Sequence, residues 1–134
     1  MAFWLLKTEP SGFSYGDLES GKRAVWDGVT NNTALMHIRA MRKGDRALVY
    51  HSGGEKSLVG LAEIASDPYP DPKGKDPKIV VIDIIPAGRL PRPVPLAAIK
   101  KGKEFASFDL IRNSRLSVMP VPTPLWKKLL AMAG

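Results

Sequence analysis

The side chains best equipped for chemistry fall into four short stretches: Lys7-Thr8-Glu9-Pro10, Trp26-Asp27-Gly28-Val29, Tyr50-His51-Ser52 and Arg115-Leu116-Ser117. Each follows or ends a segment patterned like a strand. In a closed sheet such strand ends converge on one rim, where an aromatic face, a carboxylate or amide and a few basic groups together surround a flat polar heterocycle. A nucleobase has that shape. Trp26 sits in a short loop ahead of Asp and Gly, where an indole can stack on a base, a contact worth about 1–3 kcal/mol per base. Asp27 can accept a hydrogen bond from an exocyclic amine or ring N–H, and Gly28 lets the backbone approach a ligand closely. Asn31 and Asn32 each offer a donor and an acceptor, although Asn-Asn ahead of a helix also serves turn and cap chemistry. On these residues alone, Trp26 is either a stacking wall or a core indole capped by an Asp-Gly turn. Lys7 and Glu9 lie two apart on a strand end and point the same way, as a rim ion pair of little energetic weight or as part of a base-reading edge. Trp4 and Trp126 read as core.

A catalytic reading competes with this one. Ser52, His51, Asp27 and Glu9 include every residue type of a hydrolytic triad, so a small hydrolase or nucleotide-processing enzyme is the rival function. Against it, adjacent Ser and His on one strand project to opposite faces, and the chain has no Gly-x-Ser-x-Gly elbow. His37 falls on a predicted helix, no His spacing with Asp or Glu resembles a metal site, and no Gly-rich phosphate loop occurs. Neither a metal nor a cofactor is expected. The absence of cysteine removes disulfides, thiolate nucleophiles and cysteine zinc sites together.

The elements that must position these residues are short. Phe3 to Leu6, Arg46 to Ser52, Leu58 to Ile64, the β-branched run Ile79 to Ile85, and Arg115 to Val118 predict at least five strands. Gly53 to Lys56 has the length and chemistry of a hairpin turn, which makes its flanking strands antiparallel. Ser14 is placed to cap a helical turn through Leu18, and Asn32 or Thr33 a helix whose Ala34, Leu35, Ile38 and Met41 share a face and which Gly44 ends. Thr123 as N-cap with Pro124 in the first turn predicts a C-terminal helix sealing one face of the sheet. Tyr69 to Lys78, rich in Pro, Gly and charge, predicts a surface loop. Nothing divides the chain, so one domain over residues 1–134 is expected, of the α+β class with a sheet curled toward a barrel.

Lys and Arg number 20 against 13 Asp and Glu, a formal charge of +7. With a pI near 9.8, an anionic partner is favoured over a membrane, although scattered lysines also serve solubility. No apolar stretch is long enough to cross a bilayer, and a cytoplasmic location is expected.

Taken together and in order, Trp4-Leu-Leu-Lys-Thr-Glu-Pro10, Trp26-Asp-Gly-Val29, Tyr50-His-Ser52, Tyr69-Pro-Asp71 and Arg115-Leu-Ser-Val118 resemble the EVE domain family over almost the whole chain. That family is similar to the PUA, ASCH and YTH domains. The resemblance implies a small PUA-like mixed β-barrel of about five or six strands with short flanking helices. It also implies a non-catalytic reader of a modified base in DNA or RNA, a modified cytosine or methylated adenine, working as a monomer or weak dimer. Carried onto this sequence, the pocket comprises Lys7, Thr8, Glu9, Trp26, Asp27, Gly28, Asn31, Tyr50, His51, Ser52, Arg115 and Ser117. Under that resemblance Trp26 becomes a ligand contact. The chain departs from the family at two places. Thr30-Asn31-Asn32 stands where Arg, Asn and an aromatic residue are usual, and Lys78-Ile79 where a tryptophan is common. A basic RNA-binding adaptor without base specificity is the remaining alternative.

Overall fold

In the computed structural model, which describes residues 1–134, the chain runs through β1 (Phe3–Thr8), α1 (Tyr15–Gly21), β2 (Ala24–Trp26), α2 (Asn32–Ala40), β3 (Arg46–His51) and β4 (Ser57–Ile64). It continues through β5 (Tyr69–Pro70), β6 (Val80–Pro95), α3 (Leu96–Lys100), a 3-10 turn at Lys103–Phe105, α4 (Asp109–Arg112), β7 (Val118–Pro120) and α5 (Thr123–Met132). The strands form a mixed sheet in the order β2-β6-β4-β3-β1-β7, with β5 added beside β6. It is a PUA-like sheet curled into an open barrel, the expected class. β1 and β3 are parallel, which demands a crossover; α1, β2 and α2 supply it. The hairpin of β3 and β4 is antiparallel as expected, with Gly53 and Lys56 in its turn at positive φ.

The largest departure from the pattern is β6. The β-branched run predicts a seven-residue strand from Ile79, whereas β6 spans 16 residues to Pro95. Prolines 86, 91, 93 and 95 give its second half the look of a loop. They are tolerated because β2 and β5 pair only with its first half, so beyond Ile85 the strand has β4 on one side and no strand on the other. Two register shifts against β4 absorb the remaining mismatch. Into this bulged stretch goes Tyr15, fully buried, whose hydroxyl donates to Leu61 O at 2.7 Å and accepts from Gly88 N–H at 3.1 Å. Gly60 faces the ring: a Cβ there would lie 2.5 Å from Tyr15 Cζ. Only glycine lets β4 pass the tyrosine that pins α1 to the sheet.

Two helix ends border the site. Ser14 caps α1 as expected and forms a full capping box with Asp17. α2 is capped by Asn31, whose Oδ1 accepts from Ala34 N–H at 3.0 Å, one residue earlier than the sequence indicated. It ends at Ala40, with Met41 rather than Gly44 at its C-cap. At α5 the capping position is Pro122, and Thr123 is already helical, its hydroxyl making no cap bond. Arg115 lies in a turn, and the strand expected there starts at Val118. Trp4 and Trp126 are core residues, the latter stacked on Phe3 at 4.4 Å. Asp45 holds Trp4 through its indole N–H, and also takes the N–H groups of Ala2 and Arg42. The Tyr69 to Lys78 segment is not wholly loop. Its first two residues are β5, and the Tyr69 hydroxyl donates to Asp83, which also receives a two-pronged bond from Arg23.

Candidate nucleic-acid interface

The curled sheet leaves a seam between its two edges, β2 on one side and β1 with β7 on the other. A cleft of about 610 Å³ opens at that seam, within the roughly 300–1,000 Å³ usual for small-ligand sites. Lys7, Thr8 and Glu9 line it from the end of β1, with Ser117 beside them; Val25 and Trp26 line it from β2. The loop Asp27–Asn31 crosses from β2 to α2 along its edge, and Gly12 and Phe13 complete the wall.

Each wall is set by local bonding. The turn after β1 is tied by Glu9 O, which accepts from the N–H groups of Gly12 and Phe13, and by Thr8 Oγ1 donating to Phe13 O at 2.7 Å. Phe13 is thereby brought edge-on to Trp26, ring centres 6.1 Å apart and planes at 84°. Trp26 is 8% exposed: most of the indole is core, and the remainder opens on the cleft. Trp26 is thus a core residue that also lines the cleft. Asp27 and Asn31 are exposed on the loop, and Gly28 takes φ +77°, where a side chain would be strained. Since Asn31 Oδ1 caps α2, its amide N–H₂ is what remains for a ligand.

The Lys7–Glu9 ion pair does not form. Lys7 Nζ donates to Ser114 O at 2.8 Å and stands 5.7 Å from the centre of the Tyr50 ring. Burial lowers the pKa of its ammonium. Glu9 Oε1 accepts from Ser11 N–H at 3.0 Å, a bond that lowers its pKa, and its other oxygen packs against Gly53 of the hairpin turn. The cleft thus holds one ammonium and two carboxylates, in a chain whose overall charge is strongly positive.

Eight of the twelve residues carried onto the pocket line this cleft: Lys7, Thr8, Glu9, Trp26, Asp27, Gly28, Asn31 and Ser117. Tyr50, His51, Ser52 and Arg115 stand outside it. Tyr50 is buried behind Lys7, and that burial raises its pKa. His51 is buried between Tyr15 N–H, which donates to Nε2 at 2.9 Å, and Glu55, 2.8 Å from Nδ1. A backbone N–H only donates, so neutral His51 carries its proton on Nδ1. Ser52 Oγ reaches Thr8 O at 3.3 Å, not His51. Phe13, Val25, Val29 and Thr30 line the cleft without having been expected there. Phe13 did carry a signal, since an apolar residue ahead of the Ser14 cap with Leu18 beyond it has the spacing of a hydrophobic staple. No three His, Asp or Glu side chains gather as a metal site would require.

A curled mixed sheet of this strand order, open at one seam, defines a small PUA-like barrel. The chain belongs to the EVE domain family, whose profile matches residues 2–132. A solved protein of Rhodopseudomonas palustris is 43% identical with a TM-score of 0.95, the match covering 100% of this chain and 94% of that one. Mouse thymocyte nuclear protein 1 is 32% identical over 89% of this chain and 68% of its own length. The human THYN1 protein in complex with 5-methylcytosine-containing DNA is 28% identical with a TM-score of 0.89, over 99% of this chain and 98% of that one. An ASCH protein of Zymomonas mobilis, 12% identical with a TM-score of 0.59, shares the fold.

Proposed function

We propose that this chain binds nucleic acid carrying a modified base, holds that base in the seam cleft, and performs no chemistry on it. The observation that carries the reading is the composition of the cleft. An indole and a phenyl ring give apolar wall, two carboxylates accept from an exocyclic amine, and Lys7 with the Asn31 amide donates to a carbonyl oxygen or ring nitrogen of the base. A cytosine edge presents that donor and those acceptors side by side, and human THYN1, whose solved chain is matched over 98% of its length, was solved with DNA containing 5-methylcytosine. The base packs against the open part of Trp26 and against Phe13, and a methyl group at ring position 5 gains apolar contact there. Entry requires the base to leave its stack, at a cost of a few kcal/mol that the cleft contacts must offset. Departure from Arg at position 30 removes a cation from the loop, so its phosphate contacts come from elsewhere on the surface.

The test is fluorescence anisotropy with matched DNA and RNA oligonucleotides, unmodified or carrying 5-methylcytosine, 5-hydroxymethylcytosine or N6-methyladenine. Tighter binding to one modification, reduced by Asp27→Ala on the exposed loop, is the expected result. Equal affinity for every oligonucleotide would overturn the reading.

A further inference from the structure

The cleft is poorly suited to hold phosphate, since carboxylates outnumber its single ammonium. A second recess, about 340 Å³, answers that need. It is lined by Lys100, Lys101 and Lys103 around Gly102, with Phe105 and Ile111 among its apolar residues and no carboxylate in its lining. All three lysines are exposed, and none takes part in an ion pair. The adjacent acid, Glu104, lies against Gly102 and is directed to Lys128 Nζ at 3.5 Å. Glycine at 102 keeps the recess shape, because a Cβ there would lie 2.8 Å from Phe105 Cδ2.

The segment carrying this recess is anchored at both ends near the rim that carries the cleft. Leu96 N–H donates to Lys56 O, in the hairpin turn next to Glu9's packing partner Gly53, and Ser114 O accepts from Lys7 Nζ within the cleft wall. From this placement we infer that the lysine recess is a phosphate site that takes the phosphodiester backbone of the strand whose base enters the cleft. Base and backbone are thereby gripped at two separate points, by groups of different chemistry. The inference rests on the proposed base-binding reading only for the identity of the strand, not for the affinity of the recess for phosphate.

The experiment compares the intact protein with Lys100→Ala/Lys101→Ala/Lys103→Ala and with a charge-matched control, Lys73→Ala/Lys75→Ala/Lys78→Ala, in the exposed loop after β5. Anisotropy with a single-stranded oligonucleotide, with and without 5-methylcytosine, is read across a salt series. Removing three ammonium groups that neutralise phosphates should lower the slope of log affinity against log salt by about 2 and weaken low-salt binding about tenfold or more. The control should change the slope by less than about 1. The ratio of modified to unmodified affinity should stay at its wild-type value in both variants. Equal losses in the two variants, or an unchanged slope in the recess variant, would overturn the phosphate site. Tighter capture of inorganic phosphate or a free mononucleotide than of the oligonucleotide would overturn its assignment to a strand. If the triple variant melts early, the three single substitutions decide, each expected to lower the slope by about 0.7. Should the wild type show no modification preference at all, the base-reading proposal fails, while the slope still reports on the recess.

Discussion

Replacing Lys7 by Met separates what the ammonium does for folding from what it does for binding. The substitution keeps the apolar stem and removes the charge. Folding loses a bond to Ser114 O on the exposed rim and a cation–π contact with Tyr50 at 5.7 Å, the latter worth about 0.5–1 kcal/mol. Folding gains relief from half-burying a charge, the cause that lowers the Lys7 pKa. These oppose one another, so the net change in stability should stay within about 1 kcal/mol. For a cation whose pKa is lower when folded than unfolded, the unfolded chain binds the proton more tightly. Stability therefore rises as pH climbs through the folded value toward the unfolded one, and this increment should vanish in Lys7→Met. Binding has no such compensation. A ligand acceptor left facing a methyl group loses about 1–3 kcal/mol, roughly 5–150-fold in Kd. Urea denaturation between neutral pH and pH near the lysine range, alongside anisotropy with the preferred oligonucleotide, reads both. A variant that binds like wild type but is clearly less stable would refute the reasoning, because Lys7 would then be only a tie between β1 and Ser114.

Trp26→Ala should destabilise by about 3–5 kcal/mol, since the indole is mostly core, while Trp26→Phe should keep the fold and still weaken binding; wild-type stability in the alanine variant would sink the double role. Gly60→Ala should cost about 2–4 kcal/mol by forcing the Tyr15 ring from its bonds to Leu61 and Gly88, and an unaltered urea midpoint would mean that the ring steps aside. Burial raises the pKa of Tyr15 and Tyr50, and the hydrogen bond to Asp83 pushes Tyr69 up to about 12. Ultraviolet titration should therefore find little phenolate in the folded protein at the pH where the unfolded chain is half ionised. The Tyr69 contribution to stability, present below the unfolded pKa, should be lost as pH rises through about 12. Burial pushes the Asp45 carboxyl up, but bonds from Trp4, Ala2 and Arg42 outweigh it and leave its pKa lowered. Its contribution should hold above the ordinary carboxylate range and disappear as pH falls through the folded value; acid unfolding of Asp45→Asn, compared with wild type, measures it.

Much of this architecture was written in short-range patterns. The β3–β4 hairpin followed from its glycine turn, the start of α1 from the Ser14 cap, and the order of five motifs pointed to the family. What escaped reading was set by partners distant in sequence. β2 is three residues long and becomes a strand because Val25 and Trp26 pair with Asp83 and Ile82 of β6. The proline-rich half of β6 is extended because β4 supplies its only neighbouring strand. His51 looks chemical in isolation, yet the close approach of the α1 N-terminus turns it into an acceptor for Tyr15 N–H. Tyr50 on the same strand and Ser52 just past its end likewise stay outside the cleft lining, so the whole motif stands behind the cleft wall.

The position of the cleft follows from the same geometry. A sheet that closed fully would satisfy the edges of β2 and β7 against each other and leave no room between them. Here the β2 edge ends after Trp26, where Asp27-Gly28 turns the chain away, and the β7 edge begins only at Val118, after a turn that carries Ser114 and Ser117. The two edges stop short of one another at the level of Lys7 to Glu9. The gap exposes the last core aromatic of β2 beside the first polar residues of the β1 rim. Apolar wall and hydrogen-bonding edge then meet with the carboxylates remaining wet and the indole remaining mostly dry. An interior that shows its edge in this way suits a ligand that is itself flat, apolar on its faces and polar on its rim.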